Sequence, residues 1–310
     1  MATTPMRKKN QLVLLKTETT YDTDASPAVT DAILAYDMKF KEDVEPVRRL
    51  AQVGSLSRLA SVGGAKFAEI TFKVEIKGSG TAGTAPKIGA IFRASSFSET
   101  IVSSTSVTYL PRSSSQESVT VYFYIDGRKH IITGGVGDVK LNNEAGQFGF
   151  MDVTIRGRYT AATLTSLPTP TLESTIPPIG KSCLFSYNSR TSLVVKSVLI
   201  EMNNIIAQRP SINDANSIAG FIITGRDPMV TIDPEAIIET SYDFRGDAFT
   251  NLRALSWVVG ATAGNIITYS IPKFNPYFPE YEDRDEILVE KIKGEAAQNS
   301  GNDEVSIAFT

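Results

Sequence analysis

Val119-Thr120-Val121-Tyr122-Phe123-Tyr124-Ile125-Asp126-Gly127 decides the fold class. Val119, Val121, Phe123 and Ile125 alternate with Thr120, Tyr122, Tyr124 and Asp126, the period of two that half-buries a strand. Thr120, Tyr122 and Tyr124 therefore read as its wet face. Asp126-Gly127 supplies a tight turn, because glycine tolerates the positive φ that a two-residue hairpin demands. The chain is expected to return through Lys129 to Thr133, turn between Gly134 and Asp138, and run out along Met151, Val153 and Ile155. This is sheet chemistry with no catalytic constellation in it.

Strand signals continue outward. Leu12 to Leu15 is a short candidate. Ala68, Ile70, Phe72, Val74 and Ile76 alternate with Glu69, Thr71, Lys73, Glu75 and Lys77, giving one dry face and one wet or partnered face. A short helix is expected next, with Pro86 near its first turn and Ile88, Ile91 and Phe92 at helical spacing. Met38 to Gly64 shows neither period cleanly and reads as a long loop or extended hairpin, of a length usually functional or interfacial.

In the second half a strand at Val230 to Asp233 precedes an expected helix beginning near Asp247 as N-cap, with Ala248, Leu252, Leu255 and Val259 on one stripe. Ile267-Thr268-Tyr269-Ser270-Ile271-Pro272 then parallels Val107-Thr108-Tyr109-Leu110-Pro111, suggesting duplication of one module. Strands at Ile287 to Ile292 and Val305 to Phe309 close the chain. Pro168, Pro170, Pro177 and Pro178 favour extended chain and place a boundary there. The expected organisation is an N-terminal arm and first strand over 1–36, a first β module over 37–160 with its long loop at 38–64, a linker over 161–180, and a second β module over 181–310. The fold class is mainly β: two tandem β-sandwich or barrel modules, each with a short flanking helix.

Composition limits the functions. With 310 residues and 42% hydrophobic content, two cores can be buried. A net charge of −3 argues against a tight grip on nucleic acid, which takes clustered Lys and Arg. A single cysteine, Cys183, excludes an internal disulfide and suits a reducing cytoplasm. Met1 to Leu15 has too short an apolar run for a signal peptide, and no window reaches transmembrane length. No membrane insertion is expected.

Four features invite a chemical reading. His130 is the only histidine, so multi-histidine metal sites are excluded and it is the sole candidate base of that kind; a strand residue near a turn is the plainer reading. Cys183 reads as a buried structural thiol. Gly78-Ser79-Gly80-Thr81-Ala82-Gly83 satisfies G-x-G-x-x-G, yet the strand before it alternates and the helix after it is too short for a βαβ crossover. The acidic segment Glu280 to Glu295 could hold a glycosidase pair, and fits no EF-hand; a solvated edge is the simpler account. No cofactor, metal or enzymatic activity is expected. A carbohydrate-active or carbohydrate-binding β-sandwich is the alternative function.

Ordered strings along the chain resemble the tail tube protein, or major tail protein, of long-tailed bacteriophages. They include Glu18-Thr19-Thr20-Tyr21, Gly78 to Pro86, Ser106-Val107-Thr108-Tyr109, Ser118 to Gly127, His130, Gly134 with Gly137, and Glu144-Ala145-Gly146. Gly157 with Tyr159, Ile223 to Pro228, Thr262-Ala263-Gly264-Asn265 and Gly301-Asn302-Asp303-Glu304 complete the set. The resemblance implies stacked rings forming a channel for ejection of the genome, in a virion tail assembled in the host bacterial cytoplasm. It implies self-association, as trimers with pseudo-sixfold symmetry or as hexamers, together with tape measure and tail terminator or tip proteins and transient passage of double-stranded DNA. A lumen that repels DNA lets the duplex slide, so Asp138, Glu144 and Asp227 are lumen-facing candidates. Lys41, Glu42, Asp43, Arg48, Arg49 and Arg58 are candidates for contacts between rings.

Overall fold

Asp126 and Gly127 take φ of 36° and 93°, and Ile125 pairs with Arg128, so the turn is the two-residue kind with both central residues at positive φ. The computed structural model describes residues 5–238 and 242–310; residues 1–4 of the expected N-terminal arm lie outside it. It is mainly β, 53% strand and 4% helix, with two short helices and large antiparallel sheets.

In chain order the strands of the first half are β1 (Gln11–Thr17), β2 (Ala32–Ile33), β3 (Ala35–Val47), β4 (Val62–Glu75), β5 (Phe97–Val102), β6 (Ser106–Pro111), β7 (Val119–Ile125), β8 (Arg128–Glu144) and β9 (Phe150–Leu164), with α1 (Gly89–Ala94) before β5. The second half has β10 (Ser186–Tyr187), β11 (Val195–Glu201), β12 (Asn204–Pro210), β13 (Ile218–Arg226), β14 (Met229–Pro234), β15 (Arg253–Val259), β16 (Ile267–Pro276), β17 (Glu280–Arg284), β18 (Ile287–Ala297) and β19 (Ser306–Phe309), with α2 (Phe244–Asp247) before β15.

Long strands change partners midway and so tie the pairings together. One order runs β1-β7-β8-β9-β4-β3. β2, just before β3, pairs back onto β1 over only two residue pairs, forming a corner short of a closed barrel. β8 gives its first part to β7, and its last part, Lys140 to Glu144, to β11. From β11 the order continues through β14 and β18 to the end of β16. A further run, β5-β6-β19-β16-β15, places the C-terminal strand between the two similar segments of sequence. Val107 and Ile267 both oppose Phe309, and Tyr109 and Tyr269 both oppose Ile307.

One continuous apolar cluster fills the space between these faces, from Val13 and Ile70 through Phe92 and Tyr109 to Trp257, Tyr269 and Phe309. Ala68, Ile70, Phe72, Val74 and Ile76 are buried in it, as their alternation predicts. Their polar neighbours form a ladder with β9: Arg156 Nη2 lies 2.6 Å from Glu69 and Lys73 3.5 Å from Asp152. Phe92 of α1 is fully buried against Phe97, Tyr109 and Phe309, with ring centroids 5.5, 4.8 and 6.4 Å away.

Three expectations require correction. The wet face of β7 is dry: Thr120, Tyr122 and Tyr124 are buried because residues 24–33 fold back over them. Tyr122 donates its hydroxyl to Asp24 at 2.5 Å, the Ala25 amide donates to Thr120 at 3.0 Å, and Lys129 sits 4.1 Å from the Tyr122 ring. No turn occurs between Gly134 and Asp138; β8 runs through them with a bulge, where Gly134 has φ of 59°. The glycines there serve close approach, since a Cβ on Gly135 would lie 2.8 Å from the Val119 carbonyl and one on Gly137 2.8 Å from the Thr154 carbonyl. Finally, Asp247 ends α2 instead of starting a helix. Asp243 is the N-cap, accepting the Gly246 amide at 2.7 Å, and Phe249 at φ of 56° stops the turn. The second half of the supposed helical stripe, Leu255 and Val259, lies in β15, whose period-2 set Leu255, Trp257 and Val259 is buried, while Ala248 caps α2 and Leu252 is exposed.

Phe92→Ala should cost about 3–5 kcal/mol, read as a lowered midpoint of denaturant unfolding. A loss below about 1 kcal/mol would mean that α1 is peripheral to the core.

Candidate assembly interface

The β12–β13 hairpin exposes Ile205 and Ile212, and two further hairpins set exposed apolar side chains among charges of one sign. The first is β3–β4, paired from Ala35 and Val74 out to Val47 and Val62, so Met38 to Gly64 is an extended hairpin. Its tip, residues 48–61, exposes Leu50 (81%), Val53 and Leu56 beside Arg48, Arg49 and Arg58. Among the described residues these three arginines make no ion pair. The second hairpin is β17–β18, whose tip exposes Tyr281, Ile287 and Leu288 among Glu280, Glu282, Asp283, Asp285 and Glu286. Asp285 and Glu286 form its turn at φ of 53° and 66°. Glu280, Glu282, Asp283, Asp285 and Glu286 are exposed, whereas Glu290, on the inner part of β18, is buried.

The ring-contact candidates thus divide between stem and tip. Lys41 and Asp43 pair with each other at 2.7 Å on the β3 stem. Glu42 accepts the Tyr159 hydroxyl at 2.8 Å and lies 3.4 Å from His130 Nδ1. Phe40 beside it packs on His130, Phe123 and Tyr159 with centroids 4.4, 5.4 and 5.8 Å apart, fixing the base of the hairpin to the body. Burial pushes the His130 imidazole below its ordinary 6.5, with Glu42 opposing and Arg128 assisting. Burial and the Glu42 carboxylate push Tyr159 up to about 12. Arg48, Arg49 and Arg58 occupy the tip.

Of the lumen candidates, Asp138 and Asp227 flank one turn. Asp138 accepts the Asn204 amide at 2.9 Å, and Asn203 Nδ2 donates to the Asp227 carbonyl at 3.0 Å. Burial raises the Asp138 carboxyl above its ordinary value. Asp227 is exposed. Glu144 lies farther along β8, opposite Ser197 and 3.2 Å from Lys196. The three do not form one cluster.

The sequence strings singled out above meet in pairs inside the fold. Glu18 is buried and accepts from Ser118 and Thr120 hydroxyls and from the Gly134 and Asp22 amides, at 2.5 to 2.8 Å. Gly78-Ser79-Gly80 packs on Gly264-Asn265: a Cβ on Gly78 would lie 2.1 Å from the Gly264 carbonyl, and Asn265 accepts the Gly78 amide at 2.8 Å. Its glycines therefore serve a backbone crossing. Arg226 donates to Asn302 at 2.7 Å and Glu304 at 3.0 Å, and Ser113 reaches Asn302 at 2.6 Å. Asp247 is the buried acceptor for Arg253, Tyr242, Asn251 and Tyr187. Its burial would raise the carboxyl, but Arg253 and Tyr242 prevail and hold it below the ordinary value.

Cys183 is half-buried beside Trp257 in a cleft of about 380 Å³, and burial pushes its thiol up. Among the described residues no group of three or more His, Cys, Asp or Glu side chains is placed to hold a metal, and no helix is long and apolar enough to cross a membrane. The sequence reading missed the exposed apolar residues of both tips; the signal was present as Leu50, Val53 and Leu56 at no buried period, and as Tyr281 and Leu288 inside a charge run. No family model matches the chain, and no curated protein matches it.

A depressed imidazole pKa means that the unfolded chain takes up its proton first. Stability contributed by His130 is full above pH 6.5 and is lost as pH falls through the lower folded value. His130→Gln should flatten the stability profile just below pH 6.5, measured as urea midpoints at closely spaced pH. An unchanged slope would assign that dependence to other groups.

Proposed function

We propose that this chain is a structural virion protein that polymerises as stacked rings into the tail tube of a long-tailed phage and forms the channel for genome ejection. The observation that carries this reading is the pair of exposed hairpins on one wide antiparallel body, apolar and charged at their tips. Monomeric proteins seldom leave such patches uncovered, and a contact between copies is their ordinary use. The ordered sequence strings supply the family, and the open edges of β3 and β17 supply a sheet that can be shared with neighbours.

In this mechanism the chain performs no bond chemistry. Backbone pairing and the common core hold each subunit rigid. The β3–β4 hairpin reaches the adjacent ring, where burial of Leu50, Val53 and Leu56 stabilises the stack. Obligate contacts of this type bury about 2,000 Å² or more. Carboxylates at the lumen, for which Asp138, Glu144 and Asp227 are the candidates, repel the phosphate backbone and keep the duplex sliding. Three chains with pseudo-sixfold symmetry make a ring, tape measure protein occupies the channel before the genome does, and terminator and tip proteins cap the stack. The tail assembles in the bacterial cytoplasm.

Negative-stain microscopy of the purified chain tests this reading. Rings or tubes are the expected result, and a chain that stays monomeric at high concentration would overturn it. Replacing 49–60 by a short Gly-Ser turn keeps every β3–β4 pair and should leave rings that no longer stack. Normal tubes from that variant would remove the hairpin from the ring contact. Trypsin should cut the unassembled chain first at Arg48, Arg49 and Arg58, with the assembled form protected at least tenfold.

A further inference from the structure

The two exposed hairpins are complementary in charge and leave the sheet register at opposite ends. Residues 48–61 contain Arg48, Arg49 and Arg58 and no Asp or Glu. Residues 280–288 contain Glu280, Glu282, Asp283, Asp285 and Glu286 against Arg284 alone. Arg284 is engaged with Asp233 at 3.1 Å and Lys291 pairs with Glu282 at 2.8 Å, which leaves Glu280, Asp283, Asp285 and Glu286 outside any ion pair among the described residues. Both tips carry apolar side chains inside the charge, Leu50, Val53 and Leu56 on one and Tyr281, Ile287 and Leu288 on the other. An apolar centre with a charged rim is the composition of a protein contact.

Their placement follows from the registers. β4 pairs with β9 through Phe67 and Arg158 to Glu75 and Phe150, and β9 pairs with β8 from Leu164 and Arg128 to Phe150 and Asn142. The β3–β4 tip therefore lies past the Arg128 end of β8. On the other side, Ser197 opposes Glu144, Val198 opposes Ile232, and Ile232 opposes Ile292. The β18 strand then continues back to Ile287, so the β17–β18 tip lies past the Glu144 end. Each hairpin also keeps an open edge: β17 pairs only with β18, and β3 only with β4, among the described residues.

We infer that the basic β3–β4 tip of one copy docks on the acidic β17–β18 hairpin of the next copy, a head-to-tail contact that repeats along the assembly axis. Two different patches meeting in this way make an open, repeating array instead of a closed dimer. The charges steer the two tips together and suppress pairing of like tips, while the apolar side chains supply the burial. This contact rests on the self-assembly proposed above and names the surface that receives the hairpin.

Reciprocal charge reversal tests it on the full chain. One variant carries Arg48→Glu, Arg49→Glu and Arg58→Glu; the second carries Glu280→Lys, Asp283→Lys and Glu286→Lys. All six positions are exposed, and unchanged circular dichroism and thermal midpoints show that both variants fold. Each alone should lose head-to-tail assembly, with the critical concentration raised at least tenfold by sedimentation. Mixed in equal amounts they should assemble again, because each now presents tips complementary to the other. Wild-type tubes with either variant assembling normally, or no recovery in the mixture, would overturn this contact and leave the tube reading standing. Head-to-tail filaments without rings would support the contact and overturn the tube reading. A wild-type chain that never associates would overturn both.

Discussion

The structure depends on where the backbone hydrogen bonds of Ser306 to Phe309 go. A buried strand with an unpaired edge costs about 1–3 kcal/mol for each polar group left unsatisfied. β19 avoids this by filling the gap between β6 and β16, so strands distant in sequence satisfy both of its edges. That insertion brings Tyr109, Tyr269 and Phe309 into one apolar cluster with Phe92 and Trp257. It also puts Asn302 and Glu304, just before β19, within reach of Arg226. The last residues of the chain are thus built into the middle of the sheet.

The same economy governs the polar groups inside. Glu18 is a buried carboxylate made tolerable by four donors, two hydroxyls and two backbone amides. Asp247 is made tolerable by Arg253 and hydroxyl donors. Such clusters fix loops against strands across large sequence separations, and leave the two charged tips among the places where apolar side chains stay in solvent. For a polymerising subunit that distribution is useful: rigidity sits where copies must repeat, and exposed apolar surface sits where they are proposed to meet.

Much of this was legible. The alternation of Ala68 to Lys77, the Asp126-Gly127 turn and the closing Val305, Ile307, Phe309 pattern are local signals, because a strand's side-chain period is intrinsic to its backbone. The β3–β4 hairpin was legible as one of two options, and its basic tip residues were identified. The strands between Val195 and Arg226 went unassigned: β12 faces a largely exposed surface, while β11 and β13 bury Val198, Ile200, Ile218, Phe221 and Ile223 in runs too short and mixed with polar residues to stand out. The helix expected from Asp247 failed for a different reason: Leu252, Leu255 and Val259 fit a helical stripe, but Leu255, Trp257 and Val259 fit a strand equally well, and pairing with β16 decided between them.

By itself the sequence determined the mainly β class, the tight turns and the acid-rich and basic segments, since all of these follow from side-chain chemistry within a few residues. Only the tertiary structure decided which faces are dry. Thr120, Tyr122 and Tyr124 are polar or amphipathic by composition, yet residues 24–33 cover them. It also decided that Gly78 and Gly264 cross, that β8 continues through its glycines with a bulge instead of turning, and that two oppositely charged hairpins leave opposite ends of the register. Those outcomes depend on contacts between residues far apart in the chain, and local periodicity carries no information about which distant strand will supply the missing hydrogen bonds.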